Sequence, residues 1–220
     1  MTSTSAKPLL PLWLKLAYSA FVAVLVPSYW HAYGPTNFLY FCDVALLMTL
    51  VAVWREDTLL VSMSAVGILL PQALWQIDFL GMCAGLPVTG MTGYMFDPKL
   101  TLFARGLSFF HFWLPLLLLW LMKRLGYDPR AFRAWTVLAW VLVLICFFAM
   151  PGPPPPVDNP NLPVNINYVH GFSDQKPQDW LPPLTYLGAM LVILPTAFYW
   201  PTHLLLKRLF RTKLTARGRG

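Results

Sequence analysis

The sequence predicts an all-α polytopic membrane protein, a six-helix transmembrane bundle with both termini cytoplasmic, and three observations carry that prediction. Of the 220 residues 57% are hydrophobic and only 11% charged, about half the charged share of an ordinary soluble domain. The apolar residues gather in six runs, each long enough for roughly 30 Å of hydrocarbon, at about 9–30, 37–54, 58–82, 101–122, 132–150 and 181–206. Lys and Arg collect in alternate connections, as the positive-inside rule requires.

The first run has no small-residue cleavage site and exceeds a signal-peptide core, so it reads as a retained span. Trp30 and Tyr33 at its end fit an interfacial aromatic belt, and Gly34-Pro35 turns the chain into the second run. That run, taken as a helix from Asn37, carries Asp43 about two turns inside. A four-residue connection, "REDT", leads to the third run. The segment 83–100, "CAGLPVTGMTGYMFDPKL", is rich in glycine, with apolar anchors Met91, Tyr94, Met95 and Phe96, and reads as a folded cover at the interface. A second short connection, "KRLGYDPRAFR", joins runs four and five. In the long loop 151–180 the prolines forbid regular helix or a central strand, while "NINYVHGF" has the amides and aromatics of a segment that packs. Pro71, Pro115 and Pro195 fall in mid-helix and predict kinks. No repeat of fixed period appears, so residues 1–220 form one domain.

Thirteen of the sixteen cations, Lys7, Lys15, Arg55, Lys123, Arg124, Arg130, Arg133, Lys207, Arg208, Arg211, Lys213, Arg217 and Arg219, fall on one side, and Lys99, Arg105 and Lys176 on the other. Both termini are therefore expected inside, in a bacterial inner membrane. The net charge of +7 is explained by topology and not by nucleic acid. The basic tail 207–220 is drawn to anionic lipid, at about 1 kcal/mol per charge near the surface.

With that topology the polar residues collect in the outer half. Asp43 lies about 9 Å below Asn37, at 1.5 Å per residue. Arg105, Ser108 and His111 follow at i, i+3 and i+6, roughly one helical face, which puts His111 at the same depth. Gln72, Trp75, Gln76 and Phe79 share a face of the third helix, with Asp78 near its outer end. The inner halves carry almost nothing polar. Ionisable groups in a membrane face a bundle interior or water, so the set predicts a polar pocket opening outward. The alternative is structural: Arg105 and Asp78 snorkel or pair near helix ends, and Gln and Asp bond between helices.

Chemically, a His with a carboxylate partner is a general base, and the nucleophile is left open among water, Cys42, Ser108, Tyr40 and Thr36. There is no Gly-x-Ser-x-Gly elbow. Arg105 suits the anionic head of an amphiphile, with Gln72, Gln76, Asp78, Asn37 and Tyr40 as further contacts. Cys42, Cys83 and Cys146 show no metal or redox spacing, so neither a metal nor another cofactor is expected, and buried free thiols or a disulfide both remain open.

At "HAYGPTNFLYFCDVAL" and "LSFFHFWLPLLLLW" the chain resembles a bacterial group of small multi-pass membrane-associated proteins, a likeness that covers most of the chain and implies no activity. It is also similar, over two short segments, to the androgen-induced gene family of six-span hydrolases of fatty acid esters of hydroxy fatty acids. That resemblance implies His111 as catalytic histidine and Asp43 as the shared helical aspartate. The family's nucleophilic threonine falls on Tyr40, whose phenol is a poor replacement. The leading expectation is an outer-leaflet lipid ester hydrolase or acyltransferase, with His111 as base, Asp43 as its partner or anchor and Arg105 on the head group. The alternatives are a non-catalytic binder or carrier of lipids or small molecules, and a structural subunit of a membrane complex. Nothing in the sequence sets the oligomeric state.

Overall fold

The computed structural model describes residues 8–210, so Lys7 and the tail beyond 210, with Arg211, Lys213, Arg217 and Arg219, lie outside the described residues. Among the described residues there is no strand. The helices are α1 (Leu12–Tyr33), α2 (Phe41–Arg55), α3 (Thr58–Cys83), α4 (Leu102–Ser108), α5 (Phe110–Leu125), α6 (Ala131–Ala149), α7 (Pro183–Ile193) and α8 (Trp200–Leu209). A π-helical turn, Leu194–Tyr199, joins α7 to α8, and 3-10 turns occupy Pro35–Leu39, Gly93–Phe96 and Ile166–Tyr168.

Five helical passes are long and apolar enough to cross a membrane: Leu12–Tyr33, Thr58–Cys83, Leu102–Leu125, Ala131–Ala149 and Pro183–Leu209. The second expected helix starts later than Asn37. Pro35–Leu39 is a 3-10 turn, Tyr40 is extended (ψ 137°), and α2 then runs for 15 residues, about 22 Å.

α3 is the central helix and packs against α2, α5, α6 and α8. Without a hydrophobic force between helices in lipid, small residues that let backbones approach do the work. On α2 those are Ala45, Thr49 and Ala52, at i, i+4 and i+7, all fully buried. On α3 they are Ser62, Ser64, Ala65 and Gly67, and Ser64 Oγ donates to the Ala45 carbonyl at 3.3 Å. Two of the mid-helix prolines are compensated across helices. Proline has no N–H for the carbonyl four residues back. For Pro195 that carbonyl is Leu191, which accepts from Trp140 Nε1 on α6 at 2.8 Å. For Pro115 it is His111, which accepts from Gln76 Nε2 on α3 at 3.5 Å while the neighbouring Phe112 carbonyl accepts at 3.0 Å.

The end of the bundle that carries most of the cations is not apolar, contrary to expectation. Tyr127 is buried with its hydroxyl 2.6 Å from His203 Nδ1. The Asp128 N–H donates to Ser62 Oγ. Glu56, at a left-handed residue between α2 and α3 (φ 53°), accepts from the Leu9 and Leu10 N–H groups and from Lys15 Nζ at 2.9 Å. It thereby ties the start of α1 to the α2–α3 corner. The signal was His203 and Tyr127, two amphipathic side chains beside a basic connection.

Burial pushes the Glu56 carboxyl up, but the Leu9 N–H, the Lys15 ammonium and the Leu10 N–H outweigh it and hold it below the ordinary glutamate range. A depressed carboxylate contributes stability that is present above its unfolded value, about 4.3, and is lost as pH falls through the folded value. The docking of α1 should therefore weaken below about pH 4. Thermal midpoints in detergent from pH 6 to pH 3 check this, and Glu56→Gln should flatten that part of the profile.

The opposite end is covered by the two long connections. Asp78, fully buried, gathers the first of them: Oδ1 accepts from the N–H groups of Val88, Thr89 and Gly90, and Oδ2 from Thr92 N–H at 2.9 Å and Thr92 Oγ1 at 2.6 Å. Asn165 and Asn167 organise the second, both in the left-handed region (φ 55° and 59°) that asparagine tolerates. Asn167 Oδ1 accepts the Phe41 N–H at the start of α2 and its Nδ2 donates to the Leu39 carbonyl, both at 2.9 Å. The segment thus caps a helix from 126 residues away, with Ile166 and Val169 buried against Val143, Cys146 and Leu187.

Candidate functional site

Because α2 begins at Phe41, Asp43 lies in its first turn and not two turns inside. There the positive end of the helix dipole favours a carboxylate. Asp43 is 3% exposed. Its Oδ2 accepts from Asn37 Nδ2 at 3.3 Å and lies 3.9 Å from Cys42 Sγ, and Oδ1 has no partner among the described residues. Asn37 and Cys42 thus serve Asp43, while Tyr40 forms the break before α2 and packs with the cluster around Val143 and Ile166.

The expected straight face of Arg105, Ser108 and His111 is broken. The fourth run divides at Phe109 (ψ −4°), between α4 and α5. Phe112 N–H bonds the Phe109 carbonyl at 2.9 Å instead of the Ser108 carbonyl four residues back. The freed Ser108 carbonyl takes His111 Nδ1 at 2.6 Å. His111 therefore caps the break in its own pass, with its proton on Nδ1 and the lone pair on Nε2. Its ring stacks on Trp75 (5.2 Å, 18°) and touches Phe110. The Ser108 hydroxyl is shared with Tyr29 of α1 at 2.9 Å. Neither an ion pair nor a hydrogen bond joins His111 to Asp43 among the described residues, so the expected base–carboxylate pair is not formed.

The remaining candidates separate. Gln76 supports the proline-broken pass, Asp78 folds a loop, and Gln72 is buried with Oε1 unpartnered. Arg105 Nε and Nη2 donate to the Leu100 and Asp97 carbonyls at 3.1 and 2.6 Å. Of the ten candidates, Asp43 and Cys42 stand near Tyr29, which shares the Ser108 hydroxyl, while Gln76, Asp78 and Arg105 hold other partners. Arg105 alone among them lines a shallow groove of about 330 Å³ formed with Phe79, Met95, Phe96, Gly106 and Phe109. Phe79 stands 5.6 Å from Phe96 and 6.0 Å from Phe109, and stacks on Trp75 at 5.2 Å. An aromatic ladder therefore runs from the groove through Phe79 and Trp75 to His111. One guanidinium over aromatic walls can hold an anionic group beside an apolar chain.

Tyr29, the polar partner of Ser108, was not among the residues predicted from the sequence. The buried residues Tyr18, Val22, Leu25 and Tyr29 recur at i, i+4, i+7 and i+11 along α1, and that period was the available signal. All three cysteines are free, Cys83 exposed and Cys146 buried beneath Asn167 Nδ2. No group of three His, Cys, Asp or Glu among the described residues could hold a metal ion. No protein-family model matches the chain, and comparison with curated proteins and with solved structures likewise returns no match.

Proposed function

We propose that the chain is a six-span membrane protein that binds an amphiphile with an anionic head group at the lid-covered end, without turning it over. The observation that carries this is the groove in which Arg105 is the one charged lining residue among Phe79, Met95, Phe96, Gly106 and Phe109. Arg105 spends two donors on loop carbonyls, which fixes the guanidinium and leaves further N–H groups for a carboxylate or phosphate. The aromatic walls suit the adjoining acyl chain.

The sixth span is α2. The 3-10 turn Pro35–Leu39 rises about 10 Å at 2.0 Å per residue and, added to the 22 Å of α2, matches the hydrocarbon thickness. The distribution of the cations supports cytoplasmic termini, with the groove facing the periplasm of a bacterial inner membrane.

Ester hydrolysis asks for a nucleophile beside a base and an orienting partner for that base. His111 Nδ1 has a backbone carbonyl as orienter. The Ser108 hydroxyl is engaged with Tyr29, and the cysteine next to Asp43 lies on another helix. Binding is the reading with fewer unmet requirements.

The test is retention of a long-chain fatty acid by the purified protein. Arg105→Ala and Phe109→Ala should each weaken it about tenfold, the second variant leaving the cation and its loop contacts in place. Undiminished retention by both variants would remove the groove from the function.

A further inference from the structure

A second groove lies at the opposite, basic end. It measures about 440 Å³ and is lined by Pro129, Arg130, Phe132, Arg133, Trp200 and His203. Arg130 is held from beneath: Asp128, 3% exposed, accepts from Arg130 Nε at 3.1 Å and from Nη2 at 2.7 Å, while the arginine side chain remains 75% exposed. The carboxylate thus orients the guanidinium and neutralises one of the two groove arginines. Arg133 is exposed and has no ion-pair partner among the described residues, and Lys207 stands close enough for its charge to act on His203. The first turn of α6, which supplies Phe132 and Arg133, adds the positive end of a 19-residue helix.

A second observation points into the groove. His203 is only 7% exposed, yet it lines the wall. Tyr127 takes its Nδ1, and no hydrogen bond from the described residues reaches its Nε2. The rings of Phe132 and Trp200 stand 5.3 and 5.6 Å from the imidazole and close the apolar side.

We propose that this groove is a headgroup site for an anionic glycerophospholipid of the surrounding leaflet. The phosphodiester sits between Arg133 and the outer edge of Arg130, accepts from His203 Nε2–H in the tautomer or cation that carries a proton there, and rests its glycerol on Trp200. Two features select a lipid over a free phosphate. The site lies at the cation-rich end of the bundle, where basic side chains meet headgroups. The helices that form it expose Val137 and Val141 on α6 and, in the same pass as Trp200, Val192 and Ile193 on α7, which offers the acyl chains a wall. This site is independent of the Arg105 groove.

The experiment places the full chain in phosphatidylcholine nanodiscs doped with phosphatidylglycerol and counts retained lipid by native mass spectrometry. Wild type should retain phosphatidylglycerol about tenfold over phosphatidylcholine. Arg133→Gln, an exposed position that does not endanger folding, and His203→Gln should each lose most of that preference. Lys123→Gln, a cation at the same end outside the groove, should keep it. Glycerol 3-phosphate in millimolar excess should not displace the lipid. Equal losses in Lys123→Gln and Arg133→Gln would mean diffuse surface potential and overturn the site. So would equal retention of the two lipids, or displacement by glycerol 3-phosphate.

Discussion

Gly67→Ala lowers the thermal midpoint of the purified chain by roughly 6–12 °C, the equivalent of about 3 kcal/mol for a chain of this size. A Cβ at Gly67 would fall inside the indole of Trp135 on α6. The indole cannot swing away. Trp135 is fully buried, with Phe41 6.1 Å away on one side and Tyr199 6.3 Å away on another. Alanine is otherwise the better helix former by about 1 kcal/mol, so the sign depends on the ring. In a Trp135→Leu background the same substitution should become neutral or stabilising, which a double-mutant cycle of thermal midpoints would read as strong coupling. An unchanged midpoint for Gly67→Ala alone would mean that α3 and α6 do not meet this closely.

Asp78→Ala should release the first cover without unfolding the bundle. One carboxylate satisfies four backbone N–H groups and a hydroxyl, and leaving a buried donor unpaired costs about 1–3 kcal/mol. Val88, Thr89 and Gly90 are exposed and can turn to water, whereas Thr92 is fully buried, so the loss is local and on the order of 3 kcal/mol. Hydrogen exchange over residues 86–96 should accelerate by about a hundredfold, while that of α5 and α6 stays unchanged. Asp78→Asn should fall between, because its amide keeps one acceptor but turns donors toward the Thr92 N–H. Because Met95 and Phe96 line the Arg105 groove, both variants should also weaken fatty acid retention. Unaltered exchange in Asp78→Ala would contradict the assignment of Asp78 as the anchor of this loop.

What could be read from the sequence follows from how each feature is encoded. The apolar passes are written in composition over twenty residues, and the length of a bilayer fixes their scale, so most of their bounds agree within a few residues. The start of α2 is not written that way. Phe38 and Leu39 run on into the apolar residues of α2 with no turn residue between them, and the break at Tyr40 is held by Asn167, 126 residues away in the chain. That error carried Asp43 from the first turn to an apparent depth of two turns. The Arg105–Ser108–His111 face failed for a related reason. Spacing at i, i+3 and i+6 assumes an unbroken helix, and neither Gly106 nor Phe109 announces a break. Asp78 was found as a residue but not as a role, because the N–H groups it serves belong to a loop whose path is tertiary. Arg105 was read from its position beside a helix end, and the structure adds the aromatic walls around it.

Steady-state hydrolysis of long-chain acyl esters by the purified full chain separates binding from turnover. Wild type, Arg105→Ala and His111→Ala are incubated with ester substrates, including esters of hydroxy fatty acids, and free fatty acid is counted against protein. The expected result is stoichiometric retention that falls in Arg105→Ala, with no fatty acid released by any variant. Continuous release over many equivalents by the wild type, abolished in His111→Ala, would make the chain an ester hydrolase and not a binder.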